Sequence, residues 1–257
     1  MREQFVHTIS EVMKLDERVV LLLGDIGVYG FRDLFKEYPD RCINVGICEQ
    51  SMISMAAGLS MAGLIPIIHS IAPFVVERCY EQIKDDFGYQ QLGGTIISVG
   101  ASSDYKNLGY THYCPADVAI LSQIPDIQIF VPGTGKEFQT LFKKTYGNGK
   151  LKYFRLSAKE NKESQKVKVG HGVCLKTSNT DFRVIAIGNT LDITLLATQD
   201  LDVSVTYETM VDNFKDRKAF YVEPYYSENF GMSVPKQYEP FDFDVLVLRD
   251  KILKWIQ

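Results

Sequence analysis

Short apolar runs bounded by Gly, Pro and polar residues recur along this 257-residue chain, and amphipathic stretches of helical period separate them. A strand that is apolar on both faces must be buried on both faces, which is typical of a parallel sheet covered by helices. The pattern therefore predicts an α/β protein with mostly parallel sheets. The first predicted strands are 19–24, 65–71, 94–100, 127–133 and 152–157, and the helices are 2–14, 49–63, 74–91, 115–123 and 135–146.

The polar, lysine-rich segment AKENKESQKVKVGHG interrupts this alternation, because it has no helical period. We therefore expect two domains, each a mostly parallel sheet with helices on both faces, although one domain with a long surface loop would look similar. The predicted boundaries are 1–160 for the first domain, 161–172 for a linker and 173–257 for a smaller second domain. Its predicted elements are strands at 182–189, 203–208, 218–224 and 245–249 and a helix near 191–200.

Composition excludes several classes of function. Hydrophobic residues make up 46% of the chain and charged residues 23%, which indicates a soluble globular protein. The net charge of −4 gives no basic footprint for nucleic acid, and no apolar run reaches the ~18 residues of a membrane helix. The charged N-terminus predicts no secretory signal. The five scattered cysteines lack C-x-x-C spacing and predict reduced thiols in the cytoplasm.

Ligands of open α/β sheets bind at the carboxyl ends of the strands, so polar residues that follow a strand are candidates for a site. Asp25 follows the first predicted strand, and Ser102 follows the third. His69 and Ser70 lie at the end of the second, and Glu49 follows the short strand INVG. Glu49 also precedes the nearly uncharged stretch QSMISMAAGLSMAG, where burial opposes its charge and the helix dipole favours it. It is either a solvated helix-start residue or a carboxylate tuned for proton chemistry.

Four further residues have both a structural and a functional interpretation. Phe74 follows Pro73 at the start of a predicted helix and is either a core aromatic or a flat surface for a heteroaromatic ring. His112 lies on a loop, where surface and functional roles are both open. His69 lies in the apolar strand IPIIHSI and has the pattern of a satisfied core histidine. Arg155 lies in another apolar strand and needs a partner, either a structural carboxylate or a substrate phosphate.

Taken in order, these residues resemble the pyrimidine-binding domain of transketolases. NVGICEQSMISMAAGLSMAGLIPIIHSIAPFVVERCYEQIK carries the resemblance, which continues through GYTHYCPADVAILSQIPDIQIFVPG with its G-x-T-H pattern. VIAIGN and FYVEPYYSENFGM resemble the C-terminal domain of the family, so nearly the whole chain is covered. The best match is the C-terminal half of a split transketolase. The motif I-C-E-Q followed further along the chain by T-H is specific evidence for this family, whereas C-E-Q alone would be weak evidence.

The resemblance implies thiamine diphosphate as cofactor and the transfer of a two-carbon ketol unit between sugars or sugar phosphates. Glu49 would hydrogen-bond N1′ of the aminopyrimidine and favour the imino form, whose nitrogen removes the thiazolium proton. The implied catalytic residues are Glu49 and His112, which faces the sugar hydroxyls. The implied cofactor contacts are Glu49, Phe74, Ile71 and Arg78, and the implied substrate contacts are Asp25, His112, Arg2, Arg155 and Ser102.

Several positions depart from the family pattern. Leu108 replaces an aspartate found in many members four residues before the T-H histidine, and Ala158 replaces an arginine. Ile71 stands where a second aromatic often lines the pyrimidine pocket, and the Ala-Ser-Ser run at 101–103 replaces a histidine. These changes predict intact cofactor activation, weaker phosphate anchoring and ketol transfer specialised for an unusual sugar.

The resemblance also implies a partner subunit, because the G-D-G and Asn signature that holds Mg²⁺ and the diphosphate in this family has no counterpart here. The GDIG run at 24–27 lies in the wrong context. We expect a separate N-terminal subunit with that site and an α₂β₂ assembly containing a second copy of this chain. The apolar helix 50–63 is a candidate for the interface, although a core helix would look the same.

Three alternatives stay open at this point. The β subunit of a 2-oxo acid dehydrogenase has a similar L-C-E-Q motif and also lacks the metal site. A 1-deoxyxylulose-5-phosphate synthase is normally one longer chain. A non-catalytic scaffold subunit would need neither Glu49 nor His112.

Overall fold

The computed structural model of the protein describes residues 1–211, 219–225 and 244–256. Within these residues the strands form a seven-stranded sheet and a four-stranded sheet. The strands are β1 Val19–Leu23, β2 Cys42–Asn44, β3 Ile65–Ile71, β4 Gly94–Val99, β5 Gln128–Phe130, β6 Leu151–Arg155, β7 Val173–Lys176, β8 Arg183–Ile187, β9 Ser204–Glu208, β10 Met210–Val211 and β11 Ala219–Val222. The α-helices are α1 Arg2–Leu15, α2 Arg32–Glu37, α3 Glu49–Met61, α4 Tyr80–Gln82, α5 Asp117–Leu121, α6 Gly135–Thr145, α7 Leu191–Ala197 and α8 Val245–Ile256.

The seven-stranded sheet has the order β10-β5-β6-β4-β3-β1-β2. All pairs among β1 to β6 are parallel, and the short β10 adds antiparallel to β5 at one edge. Every residue of β1, β4 and β6 is buried, as a parallel sheet with two covered faces requires. The predicted α/β class is confirmed.

Alternate residues of one strand build two different cores, because successive side chains of a strand point to opposite faces of the sheet. Leu21 and Leu23 pack in a core that includes Phe5 of α1. Val20 and Leu22 pack in the second core, against the buried face of α3. The helix that begins at Glu49 is thus held directly against the sheet.

The four-stranded sheet has the order β11-β8-β9-β7, with β8 parallel to both β9 and β11 and β7 antiparallel to β9. The helix predicted near 191–200 is present as α7. The strand predicted at 245–249 is wrong, since these residues form the first turns of α8. Their apolar run is too short to distinguish a strand from a helix. The helical period becomes visible only with Leu248, Ile252 and Trp255, which pack on the same small core.

The helix predicted at 74–91 is not one regular helix. Two π-helical turns, Pro73–Glu77 and Ile83–Tyr89, flank the short α4. The first turn closes with a hydrogen bond of 3.1 Å from Arg78 N to Pro73 O, five residues back. Such wide turns are frequent at functional sites. Among the described helices, none is long and apolar enough to cross a membrane.

The polar segment between the two sheets is anchored to both of them. Buried Glu137 of α6 accepts hydrogen bonds from Gly133 N at 2.8 Å and Gln165 N at 2.7 Å. It also accepts one from Tyr207 Oη of β9 at 2.7 Å. The domain boundaries at 160 and 172 stay a prediction. Residues 226–232, part of the segment that resembles the C-terminal domain, lie outside the described residues.

Candidate active site

Four neighbouring parallel strands end together at one edge of the seven-stranded sheet. The register pairs Leu23 with both Asn44 and His69, and it pairs His69 with Ile97, so β2, β1, β3 and β4 finish side by side. The loops and helices that leave this edge carry most of the residues that the sequence singled out. This is the edge at which ligands of open α/β sheets bind.

Glu49 is the first residue of α3, and its side chain is only 2% exposed. Its Oε2 accepts a hydrogen bond of 2.8 Å from Arg78 Nη1. Arg78 is 39% exposed, so the ion pair joins a buried carboxylate to a guanidinium that reaches water. A buried carboxylate with a single charged partner is not a solvated helix-start residue.

Gly24, Ser70 and Met52 surround the Glu49 side chain. A Cβ added at Gly24 would lie 3.2 Å from Ser70 Oγ and 3.3 Å from both Glu49 Cγ and Met52 Cε, so a larger residue would crowd this point. Ser70 Oγ is buried and has no hydrogen-bond partner within the described residues. The stem of the Glu49 side chain therefore lies near the Met52 thioether and the Ser70 hydroxyl.

Arg78 joins Glu49 to Phe74, and Phe74 in turn meets His112. The Arg78 guanidinium carbon is 4.4 Å from the centroid of the Phe74 ring, close enough for a cation–π contact. The His112 ring meets the Phe74 ring nearly edge-on, with 5.2 Å between centroids. Ile71 ends β3 and shares with Phe74 the core on the α1 side of the sheet. Glu49, Arg78, Phe74 and His112 thus form one cluster, and Ile71 belongs to the core against which Phe74 packs.

A second cluster lies at the end of β6 and is held by a fully buried ion pair. Arg155 Nε donates to Asp117 Oδ2 at 2.8 Å, and the two side chains are 1% and 0% exposed. Arg155 Nη2 also donates to Ser102 Oγ and, at 3.1 Å, to Pro224 O. Tyr153 Oη donates to the same Asp117 oxygen at 2.7 Å. The partner that Arg155 needed is therefore a structural carboxylate.

A polar cleft of about 430 Å³ opens beside this second cluster. It lies between the loop after β4 and residues near the second sheet. The cleft is lined by Ala101, Ser102, Ser103, Asp104, Arg155, Ser157, Lys159, Asn189, Pro224 and Asp244.

Asp25 and Arg2 lie at the same edge but outside both clusters. Asp25 is exposed, has a left-handed φ of 59°, and exchanges two hydrogen bonds of 3.0 Å with the Asn44 side chain. Arg2 is exposed at the start of α1. Burial, aided by the charge of Arg2, lowers the pKa of His69 to about 4. The His69 ring donates from Nδ1 to Ile97 O at 2.9 Å, so His69 is a satisfied, neutral core histidine.

The sequence missed three residues of this region. Asp117 and Asn44 hold Arg155 and Asp25 in place, and Gly24 lies between Glu49 and Ser70, which the sequence had singled out at the end of a strand. The need of Arg155 for a counter-charge was the one signal that pointed to Asp117. For Asn44 and Gly24 the sequence gives no signal, because single Gly and Asn residues at strand ends are common in any α/β protein.

Residues 1–162 match the model of the family described as "Transketolase, pyrimidine binding domain". The chain is 36% identical over 211 residues to an uncharacterized 33.6 kDa protein in the fasciation locus of Rhodococcoides fascians, covering 82% of this chain and 67% of that protein. It is 29% identical over 160 residues to one of the subunits of the apulose-4-phosphate transketolase of Actinobacillus succinogenes, covering 62% and 50% respectively. A solved split gene transketolase, described as an inactive beta4 tetramer, superposes with a TM-score of 0.70 at 26% identity, covering 81% of this chain and 70% of that chain.

The chain therefore belongs to the transketolase pyrimidine-binding domain family, since the family match covers well over half of its length. Its relatives include subunits of split transketolases, so it corresponds to the C-terminal half of such an enzyme. It spans 67% and 50% of the lengths of the two curated relatives.

Proposed function

We propose that this chain is the C-terminal subunit of a thiamine-diphosphate-dependent split transketolase, which transfers a two-carbon ketol unit between sugars or sugar phosphates. The observation that carries the proposal is the buried carboxylate of Glu49, joined through Arg78 to the aromatic ring of Phe74, in a chain of this family. A buried carboxylate at the carboxyl edge of a parallel sheet is well placed for proton chemistry.

The residues of the cluster fit the aminopyrimidine part of the cofactor. Glu49 offers a carboxylate shielded from water, and Phe74 offers a flat apolar surface. Ser70 offers a hydroxyl near the Glu49 side chain that has no partner among the described residues. When bound, thiamine diphosphate supplies the electron sink for cleaving and forming a carbon–carbon bond next to a ketose carbonyl. Glu49 would hold a proton at N1′ of the ring, and Phe74 would orient the ring against the sheet.

We assign sugar recognition to the residues around the mouth of this cluster. His112 lies against Phe74 on a loop and is positioned to face the sugar hydroxyls. Asp25 and Arg2 remain exposed at the same edge and can meet the polar end of a substrate. Ser102 lines the polar cleft. Arg155 is left out of this group, because its Nε and Nη2 already donate to Asp117, Ser102 and Pro224 O.

We further propose that the diphosphate and Mg²⁺ are held by a separate N-terminal subunit in an α₂β₂ assembly. Within residues 1–211, 219–225 and 244–256, no group of three or more His, Cys, Asp or Glu side chains is placed to hold a metal ion. The similar split gene transketolase chain is described as inactive in its beta4 form, which agrees with a need for a second kind of subunit. Leu108 and Ala158, which depart from the family pattern, favour an unusual sugar as substrate.

The transketolase relatives favour this function over the β subunit of a 2-oxo acid dehydrogenase and over 1-deoxyxylulose-5-phosphate synthase. A scaffold subunit is the alternative of a different class, and one substitution separates the two. In a scaffold, Glu49 has no chemistry to perform, whereas in a transketolase it holds the proton on which cofactor activation depends.

The test is ketol transfer by the chain co-expressed with a candidate diphosphate-binding subunit. We expect Glu49→Gln to lower kcat by about 10²–10⁴-fold, the usual contribution of general acid–base catalysis, without changing assembly. Glu163→Gln is the matched control, since Glu163 is exposed on the polar segment far from the site in sequence. Unchanged turnover in Glu49→Gln, at full assembly, would leave the scaffold as the better account.

A further inference from the structure

Arg78 has the same two partners that the proposed function gives to the cofactor's aminopyrimidine. Its Nη1 donates to Glu49 Oε2 at 2.8 Å, and its guanidinium carbon lies 4.4 Å from the centroid of the Phe74 ring. One flat, delocalised group thus donates an N–H to the buried carboxylate and covers the aromatic ring. A guanidinium is planar, carries several N–H donors and stacks on aromatic rings, and these are the features by which a protonated aminopyrimidine would bind here.

We propose that Arg78 is a stand-in for the aminopyrimidine: it occupies Glu49 and Phe74 in the free subunit and leaves both when the cofactor binds. This inference rests on the proposed function, and it names a residue that regulates that same site.

The electrostatics explain why the free subunit needs such a stand-in. The Glu49 side chain is 2% exposed and lies among apolar residues and one unpaired hydroxyl, so its charge requires a partner. Within the described residues, the ion pair and side-chain hydrogen bond to Glu49 come from Arg78. Without Arg78, the folded subunit would hold an uncompensated carboxylate until the cofactor arrived.

The exposure of the two side chains shows which one can move. Arg78 is 39% exposed, so its guanidinium can turn into water without a large loss of hydration. It follows the wide turn Pro73–Glu77, and its backbone N–H bonds to Pro73 O. Glu49 is fixed by α3, and Phe74 is packed against the core of the sheet. The core and His112 already contact the Phe74 ring, and Arg78 covers one of its faces. A flat ligand that stacks on Phe74 would therefore take the face that Arg78 covers.

The alternative is that Arg78 stays on Glu49 and positions the carboxylate while the cofactor uses the other oxygen. The two possibilities predict opposite effects on cofactor affinity. A stand-in competes with the cofactor, so its removal raises the fraction of subunits that can bind and tightens the apparent affinity. A positioning residue helps the bound cofactor, so its removal weakens the affinity.

The experiment uses Arg78→Gln in the full chain, with Arg32→Gln as the matched control. Arg32 is also an exposed arginine over an aromatic ring, 4.5 Å from the centroid of Tyr29, and it donates a hydrogen bond to Tyr29 O. Thiamine diphosphate with Mg²⁺ is titrated by calorimetry into each variant assembled with the diphosphate-binding subunit. We expect Arg78→Gln to lower the apparent Kd about tenfold and Arg32→Gln to leave it unchanged.

An apparent Kd that is unchanged or higher in Arg78→Gln would overturn the inference while leaving the proposed function standing. If the wild-type assembly binds no thiamine diphosphate, the proposed function fails, and this inference fails with it. Should Arg78→Gln not fold, Arg78→Lys serves in its place, because Lys keeps the charge near Glu49 but lacks the flat fork. We expect Arg78→Lys also to bind thiamine diphosphate more tightly than the wild type, and weaker binding would again contradict the stand-in.

A second readout needs no cofactor. In the chain alone, Arg78→Gln should lower the melting temperature, and it should lower it much less when Glu49→Gln is already present. Equal losses in the two backgrounds would mean that Arg78 does not compensate Glu49, which would also overturn the inference.

Discussion

The edge of the seven-stranded sheet holds two ion pairs that differ in how they are enclosed. In the Asp117–Arg155 pair both side chains are fully buried, and Tyr153, Ser102 and Pro224 O add hydrogen bonds. In the Glu49–Arg78 pair only the carboxylate is buried, and the guanidinium reaches water. The first pair cannot be opened without leaving a charge in the protein interior. The second can be opened from the arginine side, and this difference separates a structural pair from one suited to ligand exchange.

Breaking the structural pair should have the largest effect on stability. Asp117→Asn leaves Arg155 charged and buried without its counter-ion, so we expect the free energy of unfolding to fall by about 3–5 kcal/mol. Urea unfolding of the wild type and the variant measures this. A double variant, Asp117→Leu with Arg155→Met, removes both charges and should recover most of the loss. A loss below about 1 kcal/mol in Asp117→Asn would put this pair in the same class as Glu49–Arg78.

Lowering the pH should reduce the free energy of unfolding by an intermediate amount, because of His69. The His69 side chain lies on the opposite face of β3 from Ser70. Burial lowers the pKa of His69 from 6.5 to about 4, so between these pH values the unfolded chain binds a proton that the folded chain does not. Stability contributed by the neutral ring is therefore present above pH 6.5 and lost as the pH falls toward 4, by about 3 kcal/mol in total.

The measurement is urea unfolding between pH 7 and pH 4 for the wild type, His69→Gln and His7→Gln. His69→Gln should lose markedly less stability over this window, and His7→Gln, which alters an exposed histidine, should follow the wild type. Parallel curves for the wild type and His69→Gln would show that His69 titrates normally in the folded protein.

The smallest effect on stability is expected when the carboxylate of the Glu49–Arg78 pair is replaced. Glu49→Gln removes a buried charge and leaves Arg78 free to turn into water, so we expect the free energy of unfolding of the chain alone to change by less than about 1 kcal/mol. Glu163→Gln provides the baseline in the same urea series. A loss as large as that of Asp117→Asn would show that Glu49 is a structural residue and would weaken its assignment to catalysis.

The same comparison shows which parts of the molecule could be predicted from sequence. The sheet could be predicted because runs such as VVLLL are apolar on both faces. The role of Glu49 could be proposed because its motif is contiguous and precedes an apolar helix. The partner of Arg155 was not, because Asp117 is 38 residues away and only the fold brings the two together. The stretch VLVLR was assigned to the wrong element, since four apolar residues do not distinguish a strand from the first turn of a helix.

The geometry of the Glu49 cluster also could not be predicted from the sequence. A regular helix was predicted across 74–91, and the π-helical turn at Pro73–Glu77 changes the direction of the residues that follow it. The structure places Arg78 on Glu49 and over Phe74 at once, a double contact that residue spacing alone did not show.

The central claim, that this chain is one half of a thiamine-diphosphate enzyme, is tested most directly by calorimetric titration of thiamine diphosphate and Mg²⁺. The wild-type chain is titrated alone and then assembled with a co-expressed subunit that carries the G-D-G motif. The account predicts Mg²⁺-dependent binding by the assembly and none by the chain alone. Tight Mg²⁺-dependent binding by the chain alone would contradict the division of the site between two subunits, and no binding by the assembly would contradict the proposed function.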